Sequence, residues 1–460
     1  MNTIHLAETI QLLGASGTGN VEIKDFSGTG RGLAATKKFN NSSQILSVPL
    51  KWCWSATSAK EHPLLGTIVS RADISDDDCL AVLLMYYSHK SFSKLSNNEL
   101  LALGNVEQLD YIRSLHASVL PTEYTNSIFY SDDDLDKCYG SSLFNISTVL
   151  KNQIKEDYMN LLMNVFSQNS DTFPLSDYTL EKYMWALCTI WSRCMDFFIP
   201  QSTGTSTHMR CLVPFMDLFN GSLSVSQCHQ YDIKTNSIQV IAGKDYQPGD
   251  QVFINYGIIS NSRLLRLYGF VMQDNINDNF ELVLSTHPLS PLYDEKVRIF
   301  KRFGMDPNST FLLTKEDPMP VNVLQYLRIQ RANDDEIQAV GNVTGVVSLQ
   351  NELEILNALQ EAITAILSNF AFTIQQLHDM IATMEPGSPS WNCSIVSISE
   401  QTILSLSLSK CRDLIAAYTC GHCKKSQLGL KKCAKCHQIG YCDRQCQLAD
   451  WNQHKQVCNK

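Results

Sequence analysis

The sequence has no apolar run near the ~18 residues a membrane helix needs, and its first twenty residues, MNTIHLAETIQLLGASGTGN, lack a basic start before an apolar stretch. The expectation is a chain that neither spans a membrane nor is secreted. An excess of positive charge is missing too. The formal charge is −9, and it is unevenly spread: residues 420–460 hold eight Lys/Arg against two Asp/Glu, while residues 1–419 hold 29 against 44. An acidic body repels phosphate backbones and tolerates basic substrates, which argues against direct nucleic-acid binding. No internal repeat recurs at a fixed period. What is present is enough apolar material for packed cores, 44% hydrophobic against 18% charged over 460 residues, and at roughly 150 residues per domain the length suits about three domains.

Cysteine is also uneven, with seven of sixteen between Cys420 and Cys458. In a chain without a secretion signal, close Cys pairs are more often metal ligands than disulfides. The tail reads Cys420-x2-Cys423-x9-Cys433-x2-Cys436-x5-Cys442-x3-Cys446-x7-His454-x3-Cys458. Eight soft ligands make two closed tetrahedra, which suits two structural zinc ions with no position left for a reacting water. A segment of about forty residues buries too little apolar surface to fold alone, so metal supplies the missing free energy.

Along the chain, GTGRGLAATKKF and QILSVPL (44–50) alternate as short strands do, broken by Asn40, Asn41 and Ser42. From about 75 to 200 the spacing is helical. SDDDCLAVLLMYY and SDDDLDKCYG each open on a Ser, Ser75 and Ser131, placed to cap a helix whose first-turn Asp residues meet the positive end of its dipole. Strand-like segments return with CLVPFMDLFN, SIQVIAG and QVFINYG, around a Pro248-Gly249 turn. The order predicts an α+β fold in which one β unit is interrupted by a helical insert. After residue 275 the chain is expected to turn helical. Ser348 precedes Leu349, Leu353, Leu356, Ile363, Ile366, Leu367 and Phe370 at helical spacing, and EPGSPSWN (385–392) breaks that pattern.

With Tyr441 before Cys442, and Trp451 and Lys455 around His454, the tail resembles a MYND zinc finger. That resemblance implies interleaved ligand pairs. Cys420, Cys423, Cys442 and Cys446 would hold one zinc, and Cys433, Cys436, His454 and Cys458 the other. It also implies a protein-interaction module for a proline-containing peptide, against the plainer reading of a zinc-stapled cap without a partner. His422 and His437 lie outside the ligand pattern.

Gly28-Thr29-Gly30-Arg31-Gly32 is a glycine-rich turn not followed by a helix, unlike a dinucleotide-binding loop. Together with LVPFMDLFNGS (212–222) and VFINYGIISNSRLLRLYGFVMQDN (252–275) it resembles the SET-domain methyltransferases, in the branch of the Rubisco large-subunit lysine methyltransferase. YIRSLHASVLP, FYSDDDLDKCYGSSL and YMWALCTIWSRCMDF extend the likeness into the insert. LYDEKVRIFKRFGM and VSLQNELEILNALQEAITAIL extend it into a helical substrate-binding domain. The resemblance divides the chain into an N-terminal SET part (1–74), a helical insert (75–210), a C-terminal SET part (211–274), the substrate-binding domain (275–415) and the finger (420–458).

By position in that series, Thr29, Gly30 and Arg31 would line S-adenosylmethionine, and Arg193 would approach its carboxylate. Asp217 to Gly221, Asn220 included, would form the pseudo-knotted segment under it, Tyr256 would be the catalytic tyrosine, and Tyr268, Gly269 and Phe270 would close the pocket. On the residues alone Arg193 reads as a surface salt bridge and Tyr256 as a strand-end core aromatic, and only the ordered series of motifs reverses this. The implied reaction is methyl transfer to a protein lysine, with histidine as the alternative acceptor, in the cytoplasm, the nucleus or both. A lysine must first lose its proton, which desolvation beside a sulfonium favours. One departure stands out: Gly221 lies where the family commonly has His. It implies weakened order around the cofactor, and it is the sequence argument for a catalytically degenerate scaffold.

Overall fold

A computed structural model describes residues 2–200, 204–226, 228–340 and 345–458, as a mixed α+β chain in two compact units. One comprises residues 1–130, 147–259 and 263–270, and the other residues 131–146, 260–262 and 271–460.

The first unit is built from short strands. Val21–Phe26 and Gly30–Ala35 form an antiparallel hairpin. Gln44–Pro49 pairs with Ser237–Ile241, which pairs in turn with His229–Asp232. Gln44–Pro49 and Ser237–Ile241 are buried at consecutive positions, on both faces, and Leu33, Ile45, Val48, Ile238 and Val240 belong to one buried cluster. The helix Asn2–Leu12, which the sequence patterning does not signal, adds Leu6 and Ile10 to it.

Helices fill the middle of the unit. Ser75 caps Asp76–Ser88, accepting from the Asp78 amide while Asp78 reaches back to the Ser75 N–H. Leu80, Leu83 and Leu84 of that helix pack with Tyr183, Ala186 and Ile190 of Leu180–Arg193. Met195–Pro200 and Ser206–Cys211, which fall almost wholly within the expected helical insert, pair as antiparallel strands. The first reads M-D-F-F-I-P, with Met195, Phe197 and Ile199 inward, which is the period of a strand.

The second unit differs from expectation at its start. Where helix is predicted after residue 275, Asn279–Ser285 and Asn308–Thr314 pair antiparallel, burying Phe280, Leu282, Phe311 and Leu313. The Tyr293–Arg302 helix separates the two strands in sequence, so no short hairpin signal marks them. The predicted amphipathic helix is Leu349–Ser368, capped by Ser348. Residues 385–388 make a turn, and Pro389 then opens a 30-residue helix, Pro389–Tyr418, at the position where a missing N–H costs nothing. Ser131 likewise caps its short helix, Asp132–Leu135. Among the described residues, no helix is long and apolar enough to cross a membrane.

Candidate functional site

Asp217 sits in a single 3-10 turn, Met216–Leu218, entered through Phe215 at φ +70°. Its carboxylate is almost fully buried and held from two sides. Arg193, in the last turn of its helix, donates from Nη1 to the Asp217 carbonyl oxygen at 2.9 Å and to Oδ2 at 3.0 Å. His116 meets Oδ1 at 3.2 Å through Nε2. The Trp54 indole N–H donates to His116 Nδ1 at 3.0 Å, so the ring proton must be on Nε2 and points at Asp217. Burial would raise the Asp217 carboxyl, but His116 and Arg193 hold it down to about 2. His116 has no local signal in the sequence: it lies within YIRSLHASVLP, where nothing marks it as a partner for a residue 101 positions away.

The parallel pairing of Asn220–Gly221 with Phe253–Ile254 brings the next element in. Two residues beyond Ile254, Tyr256 lies over Gly221. It stacks on Tyr268, 4.4 Å between centroids and 13° between planes, and its hydroxyl donates to the Phe219 carbonyl at 3.4 Å. Burial and Tyr268 push its phenol well above the ordinary range, so it stays protonated at neutral pH. Arg193, Asp217, Tyr256 and Tyr268 line one cavity of about 210 Å³, with Asp196 and Asn255. The buried Arg193 Nε has no hydrogen-bond partner.

The remaining expected residues gather around this cavity rather than in its wall. Asn220 Nδ2 donates to the carbonyls of Thr29 and Arg31, each at 3.2 Å, tying the glycine-rich turn to the 216–221 segment. Gly30 makes that turn at φ +66°, and Arg31 Nη2 donates to the Val119 carbonyl at 3.2 Å. A Cβ at Gly32 would lie 2.7 Å from Gln251 Nε2 and 2.8 Å from Asn220 Nδ2, so the glycine lets those side chains approach the strand. Gly269 ends the Asn261–Tyr268 helix at φ +79° and accepts from Thr125 Oγ1 at 2.9 Å. It thereby sets Tyr268 and the half-exposed Phe270 on either side.

Gly221 is not an empty slot. A Cβ built there falls 2.2 Å from Tyr256 Cδ2, so the tyrosine ring fills the space a side chain would need. Gly221→His or Gly221→Ala therefore has to displace the ring, an overpacking expected to cost about 1–3 kcal/mol. Truncating the ring in Gly221→Ala/Tyr256→Ala should recover part of that loss in urea unfolding; strictly additive losses would show that the two positions do not meet.

The metal ligands fall into two sets, Cys420, Cys423, Cys442 and Cys446, and Cys433, Cys436, His454 and Cys458, with the ligand atoms of each within 4.8 Å of one another. Cys423 and Cys442 Sγ are 3.6 Å apart, Cys433 and Cys458 Sγ 3.9 Å, and Cys436 Sγ is 3.5 Å from His454 Nε2. Such edges suit a tetrahedron with zinc–sulfur bonds of ~2.3 Å, and the all-thiolate and thiolate–imidazole donors suit zinc. Each Cys-x2-Cys turn closes on a left-handed residue, Lys424 at φ +59° and His437 at φ +55°. His437 is thus a turn residue outside both ligand sets.

Residues 287–404 match the sequence profile described as Rubisco LSMT substrate-binding, and residues 420–458 match that of the MYND finger. Among curated proteins, the chain is 25% identical to the actin-histidine N-methyltransferase of Xenopus tropicalis over 79% of its length, and 23% identical to that of Danio rerio over 88%. It spans 61% and 65% of those two proteins. Among solved structures, Rubisco LSMT bound to AdoMet superposes with a TM-score of 0.72 at 19% identity, covering 90% of this chain and 92% of that one. The SET domain of LSMT bound to methyllysine and AdoHcy gives 0.74 at 19% identity, covering 90% and 91%.

Proposed function

We propose that the chain, which has the LSMT fold, its substrate-binding domain and a MYND finger, transfers the methyl group of S-adenosylmethionine to a side-chain nitrogen of a protein. The observation behind this reading is the convergence of Arg193, held by the buried Asp217–His116 pair, with Tyr256 and Tyr268 on one cavity. The Arg193 guanidinium, which lines that cavity, offers a charged donor for the cofactor's carboxylate. Thr29, Gly30, Arg31, Asn220 and Gly221 would supply the backbone around its other end.

Bound S-adenosylmethionine supplies an electrophilic methyl on a sulfonium. Arg193 would hold the cofactor's carboxylate end, and Tyr256 and Tyr268 would hold the acceptor nitrogen beside that methyl, its proton released to water. Tyr256 orients the nitrogen through its hydroxyl, and its raised phenol rules it out as the base. The cavity's carboxylates are engaged as well: Asp217 by Arg193 and His116, and Asp196 by Arg210 at 3.2 Å and His208 at 2.9 Å. His229 also lines the cavity, with burial lowering its imidazole below the ordinary value, and the acceptor that needs no base to activate it is one that arrives neutral. An imidazole near ~6.5 does so at pH 7, whereas a lysine near ~10.4 does not. Histidine, the acceptor named for the relatives, is therefore our first assignment, with the lysine expected from the sequence as the alternative. The finger would recruit a proline-containing peptide.

Incubating the whole chain with labelled S-adenosylmethionine and actin or a protein extract, followed by peptide mass spectrometry, distinguishes the acceptors. Tyr256→Phe should lower turnover by roughly 10- to 1000-fold with cofactor affinity little changed. Equal incorporation by both forms would remove Tyr256 from the reaction. A second reading, a catalytically silent scaffold, is favoured by the Tyr256 ring seated on Gly221. Cofactor binding without incorporation by either form would support it.

A further inference from the structure

Two fully buried side chains, Trp54 and His116, stand behind the Arg193 cavity without lining it. Together they close a circuit around Asp217. The Trp54 backbone N–H donates to the Leu212 carbonyl at 2.9 Å, and the Leu212 N–H donates back to the Trp54 carbonyl at 3.0 Å. The Trp54 indole then reaches His116 Nδ1, and His116 Nε2 reaches Asp217 Oδ1. Leu212 and Asp217 belong to one segment, so Trp54 fixes that segment at one end through the backbone and at the other through the imidazole.

The two oxygens of the Asp217 carboxylate have different partners, Oδ2 on Arg193 at 3.0 Å and Oδ1 on His116 at 3.2 Å. With the side chain almost fully buried, an oxygen left without a donor would be a charge unmet by water. If the His116 donor is removed, the carboxylate gains by turning Oδ1 toward the guanidinium as well. That draws Arg193 toward Asp217 and occupies donors it would otherwise present to a ligand in the cavity. Tyr124 also bonds the guanidinium, but burial raises its phenol, so it stays neutral and does not replace a carboxylate. Trp54 acts one step further back. Because its indole N–H occupies Nδ1, the imidazole carries its proton on Nε2, the neutral tautomer that offers Asp217 a donor.

We infer that Trp54 and His116 are positioning residues for S-adenosylmethionine: by satisfying one oxygen of Asp217 they leave Arg193 its donors for the cofactor's carboxylate. This role rests on the function proposed above.

The test titrates S-adenosylmethionine calorimetrically into the full, zinc-loaded chain and its variants. His116→Gln keeps an N–H donor within reach of Asp217 and should bind within about threefold of the wild type, whereas His116→Leu, of similar size and without a donor, should bind at least about tenfold more weakly. Trp54→Phe removes the indole N–H while keeping a ring against Tyr87, and should cost about fivefold. Added to His116→Leu, it should cost nothing further, because Trp54 acts through His116. A packing role alone would make Gln no better than Leu at position 116 and would let the Trp54 and His116 losses multiply; either result overturns the assignment. So does wild-type affinity in Trp54→Phe, a variant that decides the matter even where His116→Leu does not fold. A wild-type chain that binds no S-adenosylmethionine would instead remove the proposed function, and this role with it.

Discussion

Chelation of zinc is expected to unfold residues 420–458 and leave the rest of the chain intact. The buried apolar cluster of that segment consists of Cys420, Cys433, Tyr441 and Cys458, so three of its four members are ligands. Without metal, little is left to hold the segment beyond Tyr441 and its hydrogen bond to Asp450. Structural zinc contributes on the order of 10–16 kcal/mol in isolated fingers, which makes this the largest single effect available in the molecule. The long helix before it relies on a different cluster, in which Ile403, Leu404 and Cys411 pack with Ile355 and Leu356. Elemental analysis should count two zinc ions per chain, and limited proteolysis after chelation should cut within 420–458 first. One zinc or none, or a finger that stays protease-resistant without metal, would contradict the two-site arrangement.

The second large effect is expected at Asp217. Asp217→Asn keeps the shape but leaves Arg193 without its buried counter-charge, and breaking such a pair typically costs about 3–5 kcal/mol. The pH dependence follows from the same contacts. A carboxyl lowered from 3.8 to about 2 on folding gives stability that is fully present above the unfolded value and is lost as pH falls through the folded one. That amounts to about 2 kcal/mol. Urea unfolding of the wild type should weaken between pH 4 and pH 2 by more than that of Asp217→Asn, which lacks the group. Identical acid profiles would show that the carboxylate is not held as described.

What the sequence discloses depends on how local the information is. The zinc ligands were legible because seven Cys and one His at fixed spacing fall within 39 positions, and the sets that the MYND likeness implies are the ones that assemble. The caps at Ser75 and Ser131 were legible for the same reason. Arg193 and Tyr256 were visible only as members of an ordered series, since neither differs locally from a salt-bridge arginine or a core tyrosine. His116 was invisible because its meaning comes from Trp54 and Asp217, which only the folded chain brings together. Gly221 was readable as a departure, but not that the Tyr256 ring occupies its space, because that contact depends on the parallel pairing of two residues with two others. The strand pair 279–285 and 308–314 was missed because a helix intervenes between its halves.

The measurement that most directly tests the account is calorimetric titration of the purified chain with S-adenosylmethionine, set against Arg193→Met. The account predicts one site per chain, with Arg193→Met weakening it by at least about tenfold, since a charge-assisted hydrogen bond to the cofactor's carboxylate is lost. A folded, zinc-loaded chain that takes up no S-adenosylmethionine, or one whose affinity is indifferent to Arg193, would contradict it.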